Sequence, residues 1–219
     1  MPLKHSLATP EGRAAGEVAA AAGAVKALAA GRDCTVLDLG DGRVLRQGGA
    51  PAREAAIMEH ARDAGYPVPA VHEVRGDALV LERIQGPTMM ADLRRRPWRL
   101  NAHARLLAEL HRRLHEVPYE GAALLHLDLH PLNVLLSPRG PVVIDWTNAR
   151  AGEPALDIAL TWVIAVTSGG RSARAFLRPY LAEFDRGELE RALPQAVEFR
   201  LADPNVTERE RIAARRLLR

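Results

Sequence analysis

Between His126 and Trp146 the chain reads His126-Leu127-Asp128-Leu129-His130-Pro131-Leu132-Asn133-Val134-Leu135-Leu136, then a Pro-Arg-Gly turn, then Val142-Val143-Ile144-Asp145-Trp146. Physically this is a polar loop, a short apolar strand, a turn and a second apolar strand with an acid at its end. In an antiparallel pair the start of one strand lies beside the finish of the other, so Asn133 and Asp145 meet at one edge, next to Asp128. Two carboxylates and an amide supply oxygen donors without sulfur. Such a set suits a hard cation, magnesium above all, and the phosphates that travel with it. The same stretch permits a rival reading. His126, Asp128 and His130 alternate, so on a strand they would share one face and could bind zinc in a metal-dependent hydrolase. That reading leaves Asn133 and Asp145 unused.

The elements that must position these groups follow from periodicity. Residues 11–30 are rich in alanine, the best helix former, and read as a helical extension. Val36, Leu37 and Leu39, then Gly40-Asp41-Gly42, then Val44-Leu45 give a hairpin signal. Ala52 to Ala64 reads as a helix closed by Gly65. Pro67-Val68-Pro69 forces an extended link. Val71 to Val74 and Leu79 to Ile84 read as strands around a Gly76-Asp77 turn. Gly86-Pro87 marks a boundary. Beyond it, Met89 to Arg95 and Asn101 to His115 read as helices, the second with Asn101 as N-cap. Further helices are expected over Pro154 to Val166, Ala173 to Phe184, Glu188 to Glu198 and from Thr207 onward. The organisation expected is therefore α+β and bilobal: an extension over 1–30, a small antiparallel-sheet lobe with one helix over 31–85, and a mostly helical lobe over 86–219.

Composition narrows the class. The 219 residues are 47% hydrophobic and 26% charged with a net charge of +3, ordinary values for a globular protein. Arg94-Arg95-Arg96 is the one tight basic cluster and has no stacking aromatics around it, which argues against a nucleic-acid groove. The single cysteine, Cys34, excludes an internal disulfide. No signal peptide is evident, and the apolar run over 155–165 is short and holds Asp157, so neither export nor a membrane span is expected. A cytoplasmic location follows as the expectation; oligomeric state is not legible.

His126-x-Asp128-x-x-x-x-Asn133 followed by Asp145 resembles the catalytic loop and metal-binding acid of the protein-kinase-like fold. With His130-Pro131 and Asp145-Trp146 it is similar to the aminoglycoside phosphotransferase family, which includes choline and other small-molecule kinases. The resemblance is close over 124–160 and weaker back to about residue 35. It implies ATP and Mg²⁺ as cofactors and a hydroxylated small molecule as acceptor. It gives Asp128 the role of catalytic base, and Asn133 and Asp145 that of metal ligands. His130 would either touch the γ-phosphate or shape the loop. His126 would orient the loop, and Asp157 would brace it by accepting backbone hydrogen bonds, or else merely sit in a helix's first turn. In the small lobe, Arg46 and Glu54 occupy the positions of the family's strand cation and helix acid. Glu82 and Ile84 lie where backbone groups would read the adenine edge. The sequence departs from the family in having Arg46 for lysine, and Gly31-Arg32-Asp33-Cys34-Thr35 for a glycine-rich phosphate loop. Arginine forks differently from lysine, so Arg46 either neutralises phosphates or forms a surface pair with Glu54. These departures leave open a catalytically weak, nucleotide-binding kinase-like protein.

Overall fold

In a computed structural model, residues 26–30 and 35–218 are described. The small lobe is a five-stranded antiparallel sheet: β1 (Lys26–Ala30), β2 (Thr35–Asp38), β3 (Arg43–Gln47), β4 (Val71–Arg75) and β5 (Ala78–Glu82), in the order β1-β2-β3-β5-β4. One helix, α1 (Pro51–Asp63), covers one face. Alternation along β3 sends Val44 and Arg46 to one side of the sheet and Leu45 to the other. Val44 joins the main core with Ala55, Ile57 and Met58 of α1, whereas Leu45 packs with Ala78 and Val80. Arg46 is thereby delivered to the side where α1 lies.

The helical extension expected over 11–30 needs correction at its end. Residues 1–25 lie outside the described residues, but Lys26–Ala30 is β1, paired antiparallel with β2. Alanine propensity favours helix by only tenths of a kcal/mol per residue, and pairing onto an open sheet edge overrides it. Residues 31–34, which hold most of the expected phosphate loop and Cys34, also lie outside the described residues.

Gly86 separates the sheet from the helices with φ +145°, and a Cβ there would meet the Leu136 carbonyl oxygen at 2.2 Å. Only glycine tolerates this backbone and this approach. Next come α2 (Met89–Arg95), a 3₁₀ turn over Pro97–Arg99, and α3 (Leu100–His115). Asn101 is not the N-cap: the 3₁₀ turn runs directly into α3, so Asn101 lies inside the helix. Three short strands follow in one sheet, β6 (Pro118–Tyr119), β7 (Ala122–Leu125) and β10 (Arg150–Gly152), with the hairpin β8 (Val134–Ser137) and β9 (Gly140–Val143) between β7 and β10 in sequence. The chain closes with α4 (Pro154–Ser168), α5 (Gly170–Leu181), α6 (Arg186–Ala202) and α7 (Glu208–Arg215). Thr207 and Glu210 start α7 with a capping box.

One core runs through both lobes, from Ile57 and Met58 to Leu107, Leu110, Val134 and Trp146. Helix α1 is tied to the helical lobe by polar contacts as well. The Tyr66 hydroxyl donates to the Leu110 carbonyl at 3.1 Å, and Arg53 donates to the Ala149 carbonyl at 2.7 Å. This is the bilobal protein-kinase-like fold, with a small antiparallel sheet and one helix set against a mostly helical lobe. Among the described residues no helix is long and apolar enough to cross a membrane.

Candidate functional site

The loop from His126 to Asn133 is irregular backbone, not a strand, and Leu127 sits at φ +59°. A leucine in the left-handed region costs about 1–2 kcal/mol, so something must hold it there. Asp157, in the first turn of α4 and fully buried, accepts from the His126 N–H at 2.9 Å and the Leu127 N–H at 2.8 Å. His115 of α3 adds a contact at 3.0 Å to the same carboxylate. Burial alone would push the Asp157 carboxyl up; His115 and the two backbone donors reverse that and hold it far below the usual range. From the other end, the Thr161 hydroxyl donates to the Leu129 carbonyl at 2.8 Å, and the Met90 N–H donates to the Pro131 carbonyl at 2.9 Å. The loop is clamped from α2, α3 and α4 together.

Because 126–130 is not a strand, alternation does not put His126, Asp128 and His130 on one face, and the zinc hydrolase reading loses its geometry. His126 is buried against Trp146, with ring centroids 5.0 Å apart, and its Nε2 donates to the Ile144 carbonyl at 3.1 Å. Burial lowers its pKa, so the ring is neutral. His130 Nδ1 accepts from the Leu132 N–H at 3.3 Å, which leaves the proton on Nε2, 3.3 Å from Asp128 Oδ1. Among the described residues no three His, Cys, Asp or Glu side chains gather as a metal site.

Asn133 Nδ2 donates to both the carbonyl and the Oδ2 of Asp128, each at 2.9 Å. Asp128 is thus held from both sides, Oδ1 by His130 and Oδ2 by Asn133. Burial pushes its carboxyl up, but the bonds from His130 and Asn133 outweigh that, and the net pKa is lowered. The amide hydrogens of Asn133 are committed, which leaves its Oδ1 as the atom to meet a cation. Ile144 N–H donates to the Asn133 carbonyl at 3.0 Å, placing Asp145 one residue beyond that pairing. The second strand was expected to end at Asp145. It ends at Val143, because Asp145 turns out of the ladder at φ +66°.

Arg46 is 6% exposed, which removes the surface-pair alternative. Its Nη1 lies 2.6 Å from Glu54 Oε2 and its Nη2 3.1 Å from Asp145 Oδ1; Nη2 also donates to the Thr147 hydroxyl. One guanidinium therefore joins the small-lobe helix to the acid after β9, a geometry a lysine's single ammonium would not reproduce. The Thr147 hydroxyl donates to Asp145 Oδ1 at 3.0 Å, and Glu54 Oε1 accepts from the Trp146 N–H at 3.3 Å. Burial raises the Glu54 pKa, with Arg46 opposing and Asp145 reinforcing. Asp145 Oδ1 is occupied and Oδ2 is left for a cation. A carboxylate oxygen and an amide oxygen at one edge fit magnesium as a donor pair, with water or phosphate to complete the shell.

Two cavities meet here. One, of about 580 Å³, is lined by Arg46, Gly49, Asp128, Asp145, Thr147 and Asn148 among others. The second, of about 740 Å³, is lined by His130, Pro131, Asn133, Leu93, Phe176 and Leu177 among others, and it too reaches Asp128. Glu82 and Ile84 line neither. The Glu82 side chain instead accepts from the Ala70 N–H at 3.2 Å and pairs with Arg139 of the β8–β9 turn. Sequence reasoning missed Thr147, only two residues beyond Asp145. It also missed Arg200, Asp203 and Asn205, which line both cavities and lie too far along the chain for any local pattern to mark them. Trp146 is fully buried in the core, whereas Trp98 is 76% exposed.

Residues 94–194 match the profile of a family described as the phosphotransferase enzyme family. A probable serine/threonine-protein kinase, the BUD32 homolog of Archaeoglobus fulgidus, is 36% identical over 88 residues; the match covers 38% of this chain and 37% of that relative's length. A choline/ethanolamine kinase family protein from Mesorhizobium loti is similar in structure at TM-score 0.63 and 19% identity, covering 90% of this chain and 88% of that one. Aminoglycoside phosphotransferase APH(4)-Ia is similar at TM-score 0.65 and 17% identity, covering 94% and 96% of the two chains. The Plasmodium vivax ethanolamine kinase is similar at TM-score 0.63 and 11% identity, covering 90% and 82%. At these identities the structural likeness speaks for the fold. The family match and the structural relatives agree with the family resemblance read from the catalytic segment.

Proposed function

We propose that this chain, a kinase-fold phosphotransferase by its fold and its matched segment, moves the γ-phosphate of ATP to a hydroxyl of a small molecule. The observation that carries the reading is the position of Asp128, a catalytic-loop acid that lines two cavities of different character. On the side of Arg46, Asp145 and Thr147 a nucleotide's phosphates would lie; on the side of His130 and Pro131 an acceptor would lie. In-line transfer needs that arrangement, with attacking and leaving oxygens on opposite sides of the phosphorus. In this division 31–85 serves the nucleotide and 86–219 the chemistry and the acceptor.

The residues act mainly by position. Asp128, with a lowered pKa, is a weak base. It orients the acceptor hydroxyl and takes its proton late, as the new O–P bond forms, which suits a loose transition state. His130 donates to Asp128 and fixes its rotamer, which favours loop shaping over phosphate contact. Asn133 does the same from the other oxygen. Asp145 and the Asn133 amide oxygen would hold magnesium, whose chemistry is to neutralise charge on the phosphates as a Lewis acid. Arg46 and Thr147 hold Asp145 in its turned-out conformation, and Asp157 with His126 holds the loop. Backbone groups from Glu82 to Ile84 would meet the adenine edge. ADP and a phosphorylated alcohol are the products, and a cytoplasmic setting supplies the ATP.

Arg46 in place of lysine, already engaged by two carboxylates, favours one second reading: nucleotide binding with little turnover. Thermal unfolding and ADP release separate the two. Magnesium–ATP at about a hundredfold over its Kd adds about 2.7 kcal/mol by mass action. For a chain of this size that raises Tm by roughly 5–10 °C. A Tm rise together with ADP release on a panel of hydroxylated metabolites and antibiotics, absent in Asp128→Asn, is the expected result. A Tm rise without ADP release on any acceptor selects the binding reading, and no Tm rise at millimolar magnesium–ATP removes both.

A further inference from the structure

The acceptor cavity carries an inference about substrate class that rests on the phosphotransferase reading above. Its walls are apolar, built from Leu93, Pro97, Ile164, Phe176 and Leu177. Among the described residues two acids besides Asp128 line it, Asp203 and Glu210, and every oxygen of both already accepts a hydrogen bond or pairs with Arg200. Asp203 Oδ1 accepts from the Asn205 N–H at 2.8 Å, and Oδ2 pairs with Arg200 at 3.2 Å. Glu210 Oε1 accepts from the Ser168 hydroxyl at 2.6 Å and from Arg200 at 3.3 Å. Its Oε2 accepts from the Thr207 N–H at 2.9 Å and the Thr207 hydroxyl at 2.7 Å. Two acids just before α6 do not line this cavity: Glu183 is paired with Arg112 at 2.7 Å and Asp185 caps α6.

The cationic side is the reverse. Arg94, exposed at the C-terminal end of α2, lines the same cavity and makes no ion pair among the described residues. Its neighbours Arg96 and Arg99 are turned to Asp92 instead, at 3.0 and 3.6 Å. Among the described residues, an ammonium group entering would find no carboxylate beyond the one required for chemistry that is not already paired with Arg200, and would face Arg94. A buried cation without a partner is costly, whereas an apolar body gains about 0.8 kcal/mol per buried methylene.

We propose that the acceptor is an alcohol with an apolar body and no positive charge, and that an anionic group on it is favoured by Arg94. Transfer forms a bond from the acceptor oxygen to the γ-phosphorus and breaks the bond from that phosphorus to the β–γ bridging oxygen. The hydroxyl proton goes to Asp128, and ADP leaves.

The test uses the full chain with magnesium–ATP and three matched acceptors: hydroxyhexanoic acid, hexanol and aminohexanol. Product is read by mass alongside ADP release. An exposed charge contact is worth up to about 1 kcal/mol, so attraction of the acid and repulsion of the amine together give about a tenfold preference in kcat/KM for the acid. KM for linear alcohols from butanol to octanol should fall about fourfold per added methylene until the cavity is filled. Arg94→Glu should narrow or invert the charge preference. Preferred use of aminohexanol or of a polycationic aminoglycoside overturns the inference. So does ADP release or magnesium–ATP binding with none of these alcohols phosphorylated, and that outcome leaves the kinase reading standing. Absence of any magnesium–ATP effect is instead a failure of the kinase reading itself.

Discussion

Replacing Asp157 with asparagine keeps the side chain's size and removes a buried charge that three donors share. The carboxylate has no exposure and accepts from the His126 and Leu127 N–H groups at 2.9 and 2.8 Å, with His115 at 3.0 Å. Asparagine retains one acceptor oxygen and turns an NH₂ toward a donor, so at least one buried N–H goes unpaired. Leaving such a group unsatisfied costs about 1–3 kcal/mol, and bonds to a charged acceptor are worth about 1.5–3. We expect a loss of about 2–4 kcal/mol on that basis, which with an m-value of about 2–3 kcal/mol/M lowers the urea midpoint by about 1 M. Leu127 at φ +59° loses what holds it and relaxes, and Asp128 moves with it. Turnover should therefore fall more than magnesium–ATP affinity. The pH dependence has a definite sign. The folded-state pKa is depressed, so this stabilisation is complete above the unfolded value of about 3.9 and is lost as pH falls below it. The gap between wild type and variant is then full at neutral pH and closes in acid. A variant within about 0.5 kcal/mol of wild type at neutral pH, with turnover intact, would refute the bracing argument.

Arg46→Ala should destabilise by about 3–5 kcal/mol, because it strands buried Glu54, and Arg46→Met with Glu54→Leu should recover most of that. Urea melts of the three proteins check this; a loss under about 1 kcal/mol for the single variant contradicts it. His111, fully buried, has a pKa pushed down by burial to about 4. Between the ordinary value of about 6.5 and that value the unfolded chain takes a proton the folded one refuses, so up to about 3 kcal/mol of stability is lost as pH falls through this window. In His111→Gln the dependence should flatten, so the wild-type advantage measured at neutral pH should shrink at pH about 5; a constant difference counts against it.

The catalytic segment was legible because its geometry is local. A polar loop and a short hairpin fix Asp128, Asn133 and the neighbourhood of Asp145 within twenty residues, and the apolar runs of β8 and β9 announce that hairpin. Asp145 itself breaks the expected strand, since no pattern marks a left-handed aspartate. Helices α1, α3 and α4 were legible from apolar spacing, but β1 was not, because its alanines favour helix until a neighbouring strand pairs with them. Strands β6, β7 and β10 are two to four residues long, too short for alternation to speak. Long-range partners were the least visible. Nothing in the sequence ties Arg46 to Asp145, 99 residues apart, or Arg200 to the acceptor cavity. Glu82 and Ile84 still rest on resemblance alone, because a hinge works through backbone groups that side-chain identity does not report.

The most direct measurement compares wild type with Asp128→Asn for magnesium–ATP affinity by calorimetry and for phosphorylated product by mass spectrometry. Matched affinities, with product from wild type and none from the variant, are the expected outcome. Product formed at the wild-type rate by the variant, or no magnesium-dependent ATP binding by either protein, would contradict the account.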